Sequence, residues 1–337
     1  MTNITIEDIQ AAAARINVHR TPVITCSTLD TIVSEATDNS VQLLFKCEAL
    51  QKTGSFKIRG ASNAVQLLSD TDAASGVVTH SSGNHAQALA YAARQRGIEA
   101  HVVMPRNAPV TKKAAVRSYG ANVIECDATQ ADRERVANEV MRKTGATFIH
   151  PYNNPNVIAG QGTIALETIA QVSELLKGAS LDAMLIPVGG GGMISGCAVA
   201  TKALSPGTRV YGAEPQAVDD CHRSYQEKKR LANKPGTQSV ADALLADLGE
   251  IAFGIISESV DGIFTVTEEE IVRAMGLVWT RMKLCIEPSA AVAVAVALYN
   301  TEFHQIIRQQ NLQRIAIVLC GGNVDVARAA LLLSNDK

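Results

Sequence analysis

Short apolar runs recur along the chain at 42–47, 76–80, 99–104, 122–126, 183–188, 208–213, 263–266 and 315–320, and helix-length stretches fill most of the gaps. This rhythm constrains the fold more than any other feature. A strand followed by a helix returns to lie parallel beside an earlier strand, so the alternation predicts an α/β protein whose parallel sheets are covered by helices on both faces. One helix announces its start with Thr267 as N-cap and Glu270 three residues on. The longest apolar run, Ala290 to Tyr299, alternates Ala and Val as a strand would, but Pro288 and the alanine content predict a buried helix. It is too short to cross a bilayer. At 337 residues and 47% hydrophobic, the chain can bury a large core and is long enough for two domains.

A net charge of −2, 4% aromatic residues and no basic patch interleaved with aromatics argue against nucleic-acid binding. The opening Met-Thr-Asn-Ile-Thr-Ile-Glu-Asp has neither a positive region nor an apolar core, so no signal peptide is expected. Seven scattered cysteines without metal-ligand spacing fit a reducing cytoplasm better than a disulfide framework. Internal repeats, low-complexity tracts and long linkers are not apparent.

Three segments carry chemistry. In Ser55-Phe-Lys-Ile-Arg-Gly-Ala61, Lys57 lies between Phe56 and Ile58. A lysine held against apolar neighbours loses hydration, its pKa falls and its amine can attack carbonyls; the alternative is an ordinary solvated charge. The apolar run 183–188 leads into Gly189, Gly190, Gly191 and Gly192, and Met193 opens an amphipathic helical stretch. Strand, glycine loop and helix make an anion site, because bare backbone and helix-start N–H groups can approach a phosphate. A tight turn is the plain alternative. A dinucleotide site with Glu214 on the ribose is the sharper one, although Met193 or Ser195 always falls on a glycine that G-x-G-x-x-G requires. Ser81-Ser82-Gly83-Asn84-His85 stands between a strand and a helix, and reads either as an N-cap or as hydroxyls, an amide and N–H groups gathered on a carboxylate.

Together these segments resemble the fold-type II family of pyridoxal-phosphate enzymes, which are tryptophan synthase β-like, and most closely its serine racemase and serine/threonine dehydratase branch. The resemblance runs from Thr21-Pro22 to Cys320-Gly-Gly-Asn-Val-Asp325. It takes in Lys46-Cys47-Glu48, Gln51-Lys52-Thr53-Gly54, Val157-Ile-Ala-Gly-Gln-Gly-Thr163 and Ile286-Glu287-Pro288.

The resemblance implies two doubly wound parallel-sheet domains, a large cofactor-binding one formed by 1–75 and 154–337 and a small inserted one of 76–153, with pyridoxal 5′-phosphate in the cleft between them. It implies that Lys57 carries the cofactor as a Schiff base, that Phe56 packs on the ring and that Gly189 to Gly192 with Met193 cradle the phosphate. Asn84 would bond the ring's 3′-oxygen and Cys320 would face the pyridine nitrogen, with Glu287 also at the cofactor. A thiol there leaves the nitrogen essentially neutral and the ring a weaker electron sink. Lys57 and Ser82 are the implied proton carriers on opposite faces of the substrate, and Ser82, where many threonine dehydratases carry Ala, favours racemisation. Ser81, Ser82, Asn84 and His85 would bind the substrate carboxylate. Arg133 aligns with an arginine at the mouth of the racemase site, although Ala-Asp-Arg-Glu-Arg also reads as a helix-surface charge.

By the same resemblance, Glu214, Asp220 and the carbonyl of Val218 would hold Mg²⁺, Ca²⁺ or Mn²⁺; from the residues alone, Asp219 and Asp220 as a pair of acids opening a helix are the plainer reading. Lys52, Thr53, Gln87, Lys112, Tyr119, Lys283 and Asn323 match positions lining an activating ATP site at a homodimer interface. The sequence ends soon after its last helix, so the regulatory domain of biosynthetic threonine dehydratases is not expected. Departures gather in the substrate region: Ala241-Asp242-Ala243 for the common Ala-Asp-Gly, Tyr152 where vertebrate-type racemases have Asn, and Ala246-Asp247 where they have serines. The expected activity is serine racemisation with elimination of L-serine to pyruvate and ammonia. The alternative is a threonine dehydratase or threo-3-hydroxyaspartate ammonia-lyase. An NAD-dependent dehydrogenase would leave Lys57 and Ser81–His85 without a task. Borohydride should bleach the yellow protein and leave its label on Lys57 in a peptide map; a label on another lysine would overturn the cofactor assignment.

Overall fold

The computed structural model describes residues 4–334. Ten strands form two sheets: β1 (Val23–Thr25), β2 (Gln42–Lys46), β3 (Val77–His80), β4 (Ala100–Pro105), β5 (Asn122–Cys126), β6 (Thr147–Phe148), β7 (Ala183–Pro187), β8 (Arg209–Pro215), β9 (Gly262–Val266) and β10 (Arg314–Val318). The larger sheet runs β1-β2-β10-β7-β8-β9, and the smaller β5-β4-β3-β6. All eight expected strands form. The two missed ones are two and three residues long, too short to show periodicity. β1 pairs antiparallel with β2 (Val23 opposite Lys46), so the larger sheet is parallel except at that edge.

Both faces of the smaller sheet are covered, which is why its strands read as unbroken apolar runs. Val77 and Val102 enter one core and their neighbours Val78 and Val103 the other, as the two-residue period of a strand requires. The first of these cores also takes Ile58, Ala61, Ala64 and Val65 from the helix Lys57–Gln66, which lies outside the 76–153 segment in sequence. The larger sheet has its own core, and the helix Pro288–Tyr299 is buried from Pro288 to Leu298. Its Ala-Val alternation is therefore the composition of a helix packed all round. The capping box of Thr267 and Glu270 forms as expected.

The helix Gly192–Leu204 departs from its amphipathic reading, since nearly all of its first ten residues are buried. It crosses the helix Pro155–Leu175 at glycines. A Cβ on Gly196 would come 2.6 Å from the Gly162 nitrogen and closer still to the Ile158 carbonyl oxygen. On its other side the same helix meets Lys57–Gln66, where a Cβ on Gly160 would be 2.6 Å from the Arg59 carbonyl oxygen and from Gly60 Cα. Three helices thus stack at backbone contact, which explains the Gly-Gln-Gly of residues 160–162.

Gly196→Ala should lower stability by about 1–3 kcal/mol, because the clash is with backbone that has no rotamer to change. The urea midpoint should fall with an unchanged slope; an unmoved midpoint would mean that the helices can part without cost.

Candidate active site

A cleft opens where the two sheets meet, lined by Phe56, Lys57, Asn84, Tyr152, Pro187, Gly189 to Met193, Ala243, Leu244, Glu287 and Cys320. Several of these follow the carboxyl end of a strand: Gly189–Gly192 follow β7, Asn84 β3, Tyr152 β6 and Cys320 β10. Parallel sheets present their ligand sites at that end.

Lys57 is the first residue of its helix, and its Nζ donates to the Pro151 carbonyl oxygen (3.0 Å) and lies 5.1 Å from the centre of the Phe56 ring. Burial lowers its pKa to about 8, against the opposing pull of Cys320 and Glu287. Phe56 is tied to the opposite wall by its N–H, which donates to the Cys320 carbonyl oxygen (3.0 Å). Burial drives the Cys320 thiol well above its usual pKa, so it stays protonated. Burial, then Asp242, raise Glu287 to about 8, so it is mostly neutral at pH 7 and accepts from Asn84 Nδ2 (2.8 Å). Asn323 Nδ2 donates to Asn84 Oδ1 (2.8 Å) and to the Thr53 carbonyl oxygen (2.8 Å), completing a chain of amides along this wall.

The glycine loop is suited to an anion. Gly191 has φ +83°, where glycine alone is unstrained, and the helix beginning at Gly192 has no side-chain cap on its first N–H groups. A Cβ on Gly189 would reach 3.0 Å from Leu244 Cα. A buried amine of lowered pKa, a bare anion-binding loop, an aromatic ring and a neutral thiol around one cleft fit a phosphorylated aldehyde cofactor.

Other expected site residues lie outside that lining. Ser81 and Ser82 are in the turn before the helix Asn84–Arg96, where Ser81 Oγ accepts from the Gly83 N–H (3.4 Å). Burial, then Lys57, hold His85 near pKa 3. Its Nε2 faces the Ile149 carbonyl oxygen (3.2 Å) and must carry the proton, which leaves buried Nδ1 as an acceptor without a partner. In that tautomer only the main-chain N–H of His85 can serve a carboxylate. Arg133, in the helix Gln130–Thr144, is partly buried, and its Nε has no hydrogen-bond partner, unlike a solvated surface charge.

Glu214, the penultimate residue of β8, is buried, its oxygens accepting from the N–H groups of Cys221 (3.1 Å) and His222 (2.7 Å). Each oxygen thus spends one of its lone pairs on the start of the helix Asp220–Glu227. Burial and then Asp220 raise the Glu214 pKa well above the usual range, and burial raises Asp220 to about 6. Asp220 accepts from Asn233 Nδ2 (2.9 Å) and the Leu248 N–H (2.7 Å), and Val218 is buried just before it. Among the described residues there is no cluster of three or more His, Cys, Asp or Glu able to hold a metal, so a cation here would need main-chain oxygens or water besides the two acids.

Several of the residues matched to a nucleotide gather around the helix Asn84–Arg96. Lys52 lies over Tyr91 (5.9 Å), whose ring meets Tyr119 edge-on (5.7 Å). Thr53, at φ 61°, bonds Asn323, and Gln87 is buried in the helix Asn84–Arg96. Lys112 pairs with Asp242 (3.0 Å), while Lys283 turns back onto the Thr280 carbonyl oxygen (2.6 Å).

Two placements go beyond the sequence reading. Tyr152 lines the cleft, with its ring against Gly190. Arg59, fully buried, bonds Glu48 (2.7 and 2.8 Å) and Glu167 (2.8 and 2.8 Å) behind Lys57. The resemblance motifs already contained Glu48 and Arg59, but nothing in their spacing showed that they meet.

Residues 15–321 match the family described as pyridoxal-phosphate dependent enzyme. A serine racemase of Dictyostelium discoideum is 43% identical over 99% of each chain. A beta-hydroxyaspartate dehydratase of Paracoccus denitrificans is 44% identical over 96% of this chain and 97% of its own. The solved structure of maize serine racemase superposes with a TM-score of 0.91 at 42% identity, covering 98% of this chain and 97% of that one.

Cofactor uptake by apoprotein, followed by visible absorbance, should accelerate with rising pH and level off above about 8. The lowered pKa frees the amine there, whereas a midpoint near 10.5 would mean that Lys57 is solvated.

Proposed function

We propose that this chain, which belongs to the pyridoxal-phosphate dependent enzyme family, is a serine racemase that also eliminates water from L-serine to give pyruvate and ammonia. The observation that carries the reading is the lowered amine of Lys57 beside the glycine loop, in a chain similar over its whole length to serine racemases. Lys57 would hold the cofactor, Phe56 support its ring, Gly189 to Gly192 with Met193 its phosphate, and Asn84, Glu287 and Cys320 its polar edge. Bound there, the cofactor supplies a conjugated ring that acidifies the substrate's α-hydrogen.

The chain's own groups then move the protons. Lys57 Nζ takes the α-proton on one face, and a pKa close to working pH suits it both to accept and to return one. Ser82 Oγ, from the turn after β3, is assigned the opposite face, where delivery of a proton inverts the configuration. Ser81, Ser82, Asn84 and the N–H of His85 would receive the substrate carboxylate, with Arg133 at the mouth. Elimination needs Lys57 to take the α-proton and the β-hydroxyl to leave with a proton as water, and hydrolysis of the released aminoacrylate then gives pyruvate and ammonia, so one site can perform both reactions.

A second reading has support of its own. The likeness to a beta-hydroxyaspartate dehydratase and the unpaired Nε of Arg133 favour an anionic substrate such as threo-3-hydroxyaspartate, with little racemisation; threonine is the other candidate. Mg²⁺, or Ca²⁺ or Mn²⁺, would sit at Glu214, Asp220 and the Val218 carbonyl, where a cation offsets two acids that otherwise repel each other. ATP as an activator, a homodimer and a cytoplasmic location complete the proposal. The seven free thiols fit a reducing compartment, and among the described residues no helix is long and apolar enough to cross a membrane. The division into 1–75 with 154–337 and an inserted 76–153 is supported by the two sheets, the smaller of which takes all its strands from 77–148.

L-serine incubated with enzyme and Mg²⁺ should yield both D-serine, by chiral chromatography, and pyruvate. Ser82→Ala should abolish most D-serine formation, by about 10²-fold or more, and leave pyruvate formation from L-serine largely intact. Equal loss of both would contradict a face-specific role, and pyruvate alone from the unaltered enzyme would favour the dehydratase.

A further inference from the structure

Tyr152 is a departure that the proposed chemistry leaves without a task, and the structure sets it against the glycine loop. A Cβ on Gly190 would lie within 2.6 Å of three carbons of the Tyr152 ring, so the ring rests on the bare backbone of Gly190. The Tyr152 main chain covers the next turn, its carbonyl oxygen 3.0 Å and its Cα 3.2 Å from where a Cβ on Gly192 would stand.

This contact is held from several sides. The N–H groups of Tyr152 (3.3 Å) and Asn153 (2.9 Å) donate to His150 Nδ1, and the His150 ring meets the Tyr152 ring edge-on at 4.6 Å and 89°. Asn153 Oδ1 accepts from the Ile251 N–H (3.0 Å), and the Pro151 carbonyl oxygen accepts from Lys57 Nζ (3.0 Å). The segment that follows β6 is thus clamped onto the loop that follows β7, with an aromatic ring at the point of closest approach.

We propose that Tyr152 is a cofactor-retaining lid, whose ring closes the glycine loop against bulk water so that the tightness of phosphate binding depends on it. Hydrogen bonds from main-chain N–H groups to an anion strengthen when water is excluded from them. A ring supplies that cover through its area, and the short amide of Asn at this position cannot span Gly190. Gly190 therefore answers to two demands, backbone approach by an anion and room for the ring. The inference rests on the cofactor assignment and not on serine as the substrate.

The test uses apoprotein and holoenzyme of the unaltered chain and of Tyr152→Phe, Tyr152→Asn and Tyr152→Ala, with pyridoxal 5′-phosphate as the probe and no amino acid present. The dissociation constant comes from titration of apoprotein by visible absorbance, the rate of loss from dilution of holoenzyme, and circular dichroism checks the fold. Phe should stay within about twofold of Tyr, and Asn and Ala should bind at least about tenfold more weakly and release the cofactor faster. Affinity within twofold for Asn and Ala would overturn the lid, and so would a Phe variant as weak as Ala, since the hydroxyl would then carry the effect. If Ala does not fold, the Asn and Phe variants decide it. Failure to find D-serine leaves this readout untouched, so the two proposals can fail separately.

Discussion

The site depends on a buried ion cluster that never touches it. Arg59 grips Glu48 and Glu167, and Lys46 reaches Glu167 (2.6 Å), Gln171 (2.8 Å) and the Thr21 carbonyl oxygen (2.8 Å). Two cations and two anions leave the cluster neutral, with the Lys46, Glu48 and Arg59 side chains wholly out of water. Burial alone would weaken Arg59's hold on its proton, but Glu48 and Glu167 reverse this and raise its pKa. Such a cluster adds little net stability, yet losing one partner strands the others, so it specifies geometry more than it strengthens the fold. It joins the end of β2, the helix carrying Lys57, the helix Pro155–Leu175 and the segment around Thr21. Lys57 is two residues from Arg59 and inherits its position from it.

The cluster also explains the limits of the sequence reading. Strand and helix alternation was legible because each buried strand is a continuous apolar run, and Pro288 and Thr267 were legible because caps act locally. Thr21-Pro22, Lys46-Cys47-Glu48 and Val157–Thr163 were recognisable as family motifs without any indication of why they belong together. Their meeting at Arg59 and at the Gly60–Gly160 crossing is a tertiary fact, carried by residues about a hundred positions apart. β1 and β6 were hidden by their shortness. The helix Gly192–Leu204 has an amphipathic sequence but is buried almost all round its first ten residues, because close approach at Gly196 leaves no mark in hydrophobic periodicity.

Within the cleft, legibility followed the same division. Lys57, the glycine loop, Asn84, Glu287 and Cys320 line one cleft because each follows a strand end or opens a helix. Tyr152 was noticed as a departure, but its place against Gly190 is set by β6, which was itself missed. Burial then gives the groups their chemistry: one environment lowers Lys57, keeps Cys320 protonated and neutralises Glu287. A change that admits water would alter all three together.

Strand order has a consequence for the birth of the molecule. β10, at residues 314–318, lies between β2 and β7, so the middle of the larger sheet stays open until those residues have left the ribosome. The smaller sheet is drawn from a contiguous stretch and can assemble much earlier, as local pairings generally do. The growing chain therefore displays two unpaired strand edges in its larger half until then, and Cys320 reaches the cleft only when β10 fills the gap. A chain stalled before residue 314 would hold a lysine and a glycine loop on a sheet without its centre, a natural substrate for chaperones.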